Sequence, residues 1–303
     1  MAQTILVTGS TSGFGRLTVE TLARQGYHVF AGMRAAARKN APAAEELRAL
    51  AQREQLALHS IEIDVTDDAS VKRAIAVIIE TTGRLDVVVN NAGVSYSGPL
   101  EAFTPEQVRQ QFETNVFSVL RVNREVLPQM RKQGSGLLLQ IGSIAGRLAM
   151  PYLGLYGATK FAVEGLTESY RSELAPFGID AAIIEPGTYP TTISANRQVA
   201  ADVERLALYQ AALEAFMGRF YAENRSATPP DPQEVADAIA RVIAQPAGER
   251  PLRTVVATAA QRQAPQALND AAAQAIYTFL EALNIPAAAL ALQGEKQEVR
   301  KQL

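Results

Sequence analysis

VTGSTSGFGR, Val7 to Arg16, lies between an apolar run and a helical pattern, and its reading decides the fold. Gly9, Gly13 and Gly15 permit a tight turn and a close backbone approach to a pyrophosphate, whose charge the following helix N-terminus favours. Ser12 and Phe14 lie inside the same turn and are grouped with the glycines as cofactor-binding residues. The spacing is GxxxGxG, not the GxGxxG of the general dinucleotide fingerprint. Alone it reads equally as a plain tight turn. The strand before it and the helix after it favour cofactor binding.

Outward from this turn, apolar runs alternate with helical patterns. TILVTG, YHVFAG, LALHSIEID, LDVVVN, GLLLQIG, IDAAIIEP and PLRTVVA are continuous rather than alternating, as strands covered on both faces must be. Helical segments separate them, which predicts an α/β fold: a Rossmann-type, doubly wound parallel sheet in three α/β/α layers. No repeat, low-complexity tract or Gly/Ser linker divides the 303 residues, so a single domain is expected. Between Pro186 and Pro232 no strand pattern is legible. Such insertions usually form lids over a site, and a helical lid over about 188–231 is expected. TPPDPQEV closes it, with Asp231 as cap, Pro232 in the first turn and Glu234 three residues after the cap of a new helix.

The second strand ends HVFAGMR. A dinucleotide fold normally carries an acid near this point to hold the adenosine ribose hydroxyls. No acidic residue occurs between Glu20 and Glu45, and Arg34 stands where a 2′-phosphate would sit, followed by Arg38 and Lys39. NADP(H) is therefore expected in preference to NAD(H).

Composition excludes several classes. The chain has no cysteine, which removes disulfides, thiolate metal sites and cysteine nucleophiles and suits a reducing, cytoplasmic setting. Its two histidines, His28 and His59, sit in strand-like stretches without a ligand cluster, so no metal is expected. A net charge of -2 offers no field for nucleic acid. The N-terminus enters a strand at once, without a leader pattern. The most apolar late stretch, Ala271 to Leu292, is interrupted by Gln274, Glu281, Asn284 and Pro286, so no membrane span is expected and a packed helix is.

Taken in order, TGSTSGFG, IDVTD, NNAG, Asn115 in ETNVF, Ser143 in IGSIAG, YGATK at 156–160 and PGTYPT at 186–191 resemble the short-chain dehydrogenase/reductase family, in its shorter subgroup, over about residues 4 to 260. The resemblance implies that Asp64 and Val65 border the adenine and that Asn91 and Gly93 line the cofactor channel. Pro186, Gly187 and Thr191 would hold the nicotinamide end. Asn115, Ser143, Tyr156 and Lys160 would form the catalytic set, with Tyr156 and Lys160 also touching cofactor. A homodimer or homotetramer is implied too. The chain departs from the family at Gly142, where many members have a second serine, at Tyr189 and Pro190, and in a C-terminal extension over about 260–303.

YGATK gives the resemblance its chemistry. Four residues of helix stack Tyr156 and Lys160 on one face. Reduction of a ketone or aldehyde needs a hydride at carbon and a proton at oxygen, and the phenol is the expected general acid and, in reverse, base. A phenol pKa of ~10 is poorly matched to neutrality. An ammonium at about 4 Å in an effective dielectric of ~20 supplies roughly 4 kcal/mol, enough for about three pKa units, with burial opposing it. Gly157 and Ala158 leave room around the pair. Ser143 would hydrogen-bond the substrate oxygen, and Asn115 would hold a water relaying protons to Lys160. Two rivals are an extended-family epimerase or dehydratase, disfavoured by GxxxGxG, and an inert cofactor sensor, disfavoured by the complete set. Tyr189, Leu206, Leu208, Phe216, Met217, Phe220 and Tyr221 suggest a large apolar substrate of steroid, retinoid or aryl size, or a packed lid.

Overall fold

The computed structural model describes residues 2–224 and 229–285, with the side chains of 194–195 and 220–224 outside that description. Among the described residues nine strands follow in chain order: β1 (Thr4–Thr8), β2 (His28–Met33), β3 (Leu58–Glu62), β4 (Val87–Asn90), β5 (Tyr96–Ser97), β6 (Gly136–Ile141), β7 (Ile179–Pro186), β8 (Gln198–Val199) and β9 (Arg253–Val256). Seven of them form one sheet in the order β3-β2-β1-β4-β6-β7-β9, and every pairing is parallel. They coincide with the seven apolar runs of the sequence.

Helices α1 (Gly13–Arg24), α2 (Ala41–Glu54), α3 (Asp68–Thr82), α4 (Pro105–Phe112), α5 (Ser118–Gln133) and α6 (Gly154–Leu174) connect the first six sheet strands. α7 (Thr192–Ala195), α8 (Val203–Leu208) and α9 (Gln210–Asn224) follow β7, and α10 (Gln233–Ala244) and α11 (Ala259–Ala282) flank β9. Alternate residues of one strand feed opposite layers, as the period of two requires. Ile5 and Val7 pack with Leu22 of α1, Leu47 of α2 and Ile239 of α10. Leu6 packs with Ile75 of α3 and Val126 of α5 on the other face.

The lid region is mostly helical, as expected, but it also contains β8, which pairs with β5 through Tyr96↔Gln198 and Ser97↔Val199. Two residues are too short a run to show in a sequence. α10 starts where its signal lies: Asp231 Oδ1 accepts from Gln233 N at 2.9 Å. Glu234 does not close the capping box; its carboxylate accepts from the Tyr189 hydroxyl at 2.9 Å. His28 and His59 lie ring to ring at 4.9 Å on the neighbouring strands β2 and β3, and no metal-ligand cluster occurs among the described residues. None of the described helices is long and apolar enough to cross a membrane. The remainder of the late apolar stretch, 286–292, lies outside the described residues.

Candidate active site

The expected cofactor residues and Ser143 follow the carboxyl ends of β1, β2, β3, β4, β6 and β7, the edge at which open parallel sheets bind ligands, while Tyr156 and Lys160 lie in α6. Gly9 needs its φ of 69° and its missing side chain, because a Cβ there would lie 2.8 Å from Ala92 Cα. A Cβ on Gly15 would meet the Gly9 carbonyl at 2.4 Å. Asn91 locks the same turn, its Nδ2 donating to Thr8 O at 2.8 Å and Gly9 O at 3.0 Å. Asn91 thus joins the glycine turn to β4 and braces the channel from behind.

Residues present around the turn fit a dinucleotide. Ser12 stands at the start of α1 without capping it, so the first N–H groups of that helix are free for an anion. Ser12 Oγ instead meets Thr192 Oγ1 at 2.7 Å, and a Cβ on Gly13 would lie 3.6 Å from Thr191 Cβ. Arg34 is exposed, and only its carbonyl is engaged, by Asn40 at 2.6 Å. Asp64 uses Oδ1 to accept from Thr66 N and Oγ1 at 2.9 and 2.7 Å, while the Val65 carbonyl takes Arg121 at 2.9 Å.

Ser143, Tyr156 and Lys160 converge. Ser143 extends from the end of β6 and accepts from Ala145 N at 3.1 Å, opening a 3-10 turn. That turn lies directly on α6: a Cβ on Gly146 would be 3.1 Å from Lys160 O, and one on Gly157 would be 3.2 Å from Ala145 O. Gly157 therefore makes room for the Ser143 turn, whereas Ala158 is exposed. Lys160 is buried, donates to Ile141 O at 2.7 Å, and lies 5.7 Å from the centre of the Tyr156 ring.

The electrostatics differ from the sequence expectation. Burial pushes the Tyr156 phenol up, and it outweighs the lowering by Ser143 and by the charge of Arg197. Burial also brings Lys160 down to about 8, against the opposing pull of Glu164. The ammonium is turned to a backbone carbonyl, so desolvation of the phenolate outweighs the attraction expected from the spacing.

Asn115 makes three side-chain hydrogen bonds. It lies in a π-helical turn, Glu113–Phe117. Its Oδ1 accepts from Val94 N at 2.9 Å, and its Nδ2 donates to Val94 O at 2.9 Å and to Thr159 Oγ1 at 3.0 Å. The amide is thereby occupied in pinning the chain after Gly93 to α6.

The family model described as short chain dehydrogenase matches residues 3–202. The chain belongs to that family. It is 39% identical over 197 residues to a 3-ketodihydrosphingosine reductase of Bacteroides thetaiotaomicron, covering 65% of this chain and 68% of the relative. An NADPH-dependent 3-dehydrocapnine reductase of Ornithobacterium rhinotracheale is 32% identical over 194 residues, 62% of this chain and 66% of the relative. The crystal structure of a short-chain dehydrogenase from Streptomyces avermitilis superposes with a TM-score of 0.73 at 30% identity, covering 94% of this chain and 97% of that one. This short-chain dehydrogenase is accordingly an oxidoreductase acting on CH–OH donors with a nicotinamide cofactor.

In this short-chain dehydrogenase the segment after β7 is fixed from the C-terminal side. Gly187 N donates to Val256 O at 2.8 Å, and a Cβ on Gly187 would meet Gln261 Oε1 at 2.5 Å. Tyr189 is a core residue, packed edge-on to Phe14 at 5.7 Å. Leu206 packs beside Tyr96, Phe103 and Leu155, and Leu208 is 80% exposed. Phe216 meets Tyr152 at 5.5 Å. Most of the expected pocket residues thus hold the lid to the body or face solvent; the side chains of Phe220 and Tyr221 lie outside the described residues. Sequence reading missed Thr159, which was legible as part of YGATK, and Arg197, a single basic residue in a segment without pattern.

Proposed function

We propose that this short-chain dehydrogenase is an NADP(H)-dependent enzyme that interconverts a ketone or aldehyde and its alcohol, with Tyr156 as general acid and base. The convergence of Ser143, Tyr156 and Lys160 at the carboxyl edge of the sheet carries this reading. Gly9, Gly13 and Gly15, the uncapped start of α1, and Pro186, Gly187 and Thr191 would hold the dinucleotide, with Arg34 at the 2′-phosphate and Asp64 and Val65 at the adenine. The bound nicotinamide supplies or accepts the hydride.

This chain's own residues handle the oxygen. Ser143 donates to the substrate carbonyl oxygen, and Tyr156 passes its proton to that oxygen as negative charge grows there. Burial raises the phenol and so holds it in its protonated, donor form. Lys160 holds the end of β6 through Ile141 and supports the nicotinamide ribose. The apolar part of the substrate lies against Tyr152 and Phe216. The NADPH-dependent relative supports the choice of cofactor. The chain acts as one Rossmann-type unit with its lid and C-terminal helix, in a cytoplasmic homodimer or homotetramer.

The test is Tyr156→Phe, which keeps the ring and removes the proton. Followed by NADPH absorbance over a panel of ketones and aldehydes, kcat should fall by roughly a hundredfold or more, the scale of a lost general acid. Near-normal turnover would reject the mechanism.

A further inference from the structure

Arg197 occupies the bend between α7 and β8. Its neighbour Gln198 is held by its N–H on Ser95 O at 3.1 Å, and Ala200 N is held on Ser97 O at 3.0 Å. The strand that receives them, β5, follows the NNAG loop, whose Val94 is clamped by Asn115. The backbone beside Arg197 is therefore anchored to the wall of the candidate site, and the side chain is only partly exposed. Its Nε is buried and has no hydrogen-bond partner among the described residues.

The acid nearest to Arg197 in the chain, Asp202, is committed elsewhere, pairing with Arg205. A buried guanidinium N–H left without a partner is costly, and a planar fork of donors matches a carboxylate, sulfonate or phosphate. We infer that Arg197 is a binding residue for an anionic group carried by the carbonyl substrate, close to the carbonyl itself. This rests on the reading of Ser143 and Tyr156 as the carbonyl site. The anchoring of its segment to β5 places Arg197 on the side of the NNAG loop, and its charge draws the Tyr156 phenol down.

The alternative owner of such an anion is the cofactor pyrophosphate, whose cradle at Ser12 and Gly13 touches Thr192 on the same segment. Three arms separate the cases. In the first, 2-oxooctanoate, 4-oxooctanoate and 2-oxononanesulfonate are compared as substrates with the neutral 2-nonanone. At least one anionic ketone should exceed the neutral one in kcat/KM by tenfold or more, and Arg197→Gln should erase that ratio through KM, with partial return in Arg197→Lys. Equal ratios in wild type and Arg197→Gln would overturn the proposal.

In the second arm, titration of the wild type and Arg197→Gln with NADPH and NADH reads the cofactor alone. A tenfold weaker affinity for both dinucleotides in Arg197→Gln would assign the arginine to the pyrophosphate and overturn the proposal. The third arm needs no turnover: calorimetry of 1-octanesulfonate against 1-octanol, with the cofactor-loaded protein. Sulfonate binding that is lost in Arg197→Gln supports the anion site even if no ketone is reduced, an outcome that would count against the carbonyl chemistry alone. Equal binding of the two amphiphiles overturns the anion site while leaving that chemistry standing.

Discussion

At the scale of one residue, the proposed preference for NADP(H) rests on Arg34. Its guanidinium is exposed, and no acid precedes or follows it closely in the chain, so an adenosine 2′-phosphate would find an uncontested cation. A charge-assisted hydrogen bond contributes about 1.5–3 kcal/mol, or roughly ten- to a hundredfold in affinity. Arg34→Ala should therefore raise the Kd for NADPH by about tenfold or more with little change for NADH, as read by quenching or energy-transfer titration; equal NADPH affinity would remove Arg34 from the site. This residue was legible because an absence of acids shows in a one-dimensional sequence. Gly142 was legible only as a departure. Its reason is spatial: a Cβ there would lie 2.7 Å from Ile183 Cδ1, so a serine needs the side chain of β7 to retract.

At the scale of elements, the spacing in YGATK predicted a helix with tyrosine and lysine on one face, and α6 provides it. The sequence did not show that the Ser143 turn lies against that helix through Gly146 and Gly157, because glycine contacts have no periodicity. Nor did it show the π-turn that aims Asn115 inward. The amide of Asn115 satisfies both polar groups of Val94 and reaches Thr159. Asn115→Ala leaves these groups unpaired in a partly buried place, and a loss of about 1–3 kcal/mol of stability is expected. Urea denaturation checks this, and kcat should fall with it because the NNAG loop and α6 lose their common brace. An unchanged midpoint would show that the amide is dispensable to the fold.

Across the whole molecule, α11 is more than an appendage beyond the matched family region. Asn269 donates to Glu185 Oε2 at 2.7 Å, Arg147 reaches Leu268 O at 3.1 Å, and Thr188 N donates to Gln261 Oε1 at 3.1 Å. The helix thereby ties the Ser143 turn to the segment after β7. Beneath it, Glu164 and Glu185 are buried together with Arg253 at 2.8 Å from Glu164, and Glu168 and Arg147 lie on the same side. Among the described residues neither Oε1 has a hydrogen bond, although Arg253 lies 3.9 Å from that of Glu185, so a proton held between the two carboxyls is expected.

Burial and the neighbouring Glu164 push Glu185 up to about 8, against ~4.3 for an unfolded glutamate. The folded state then binds more protons than the unfolded state between these values, so stability is greatest at low pH and is lost as pH rises toward 8. Lys160, lowered to about 8, has the opposite sign and adds stability only above that point. Melting temperature should therefore fall from pH 6 to 8 in the wild type and fall less in Glu185→Gln, which keeps the acceptor for Asn269 without the second charge. Parallel slopes in the two proteins would show that the pair holds no proton.

The sequence by itself determined the parallel sheet, the place and conformation of the glycine turn, the helix bearing Tyr156 and Lys160, and the start of α10. Each depends on local periodicity, on backbone freedom or on a capping preference, all properties of neighbours along the chain. Only the tertiary structure decided that Lys160 turns to the Ile141 carbonyl, that burial governs the Tyr156 phenol, that Tyr189 belongs to the core, and that Arg197 and the Glu164–Glu185 pair stand near the site. Those outcomes depend on desolvation and on contacts between residues far apart in the chain, which no reading of spacing contains.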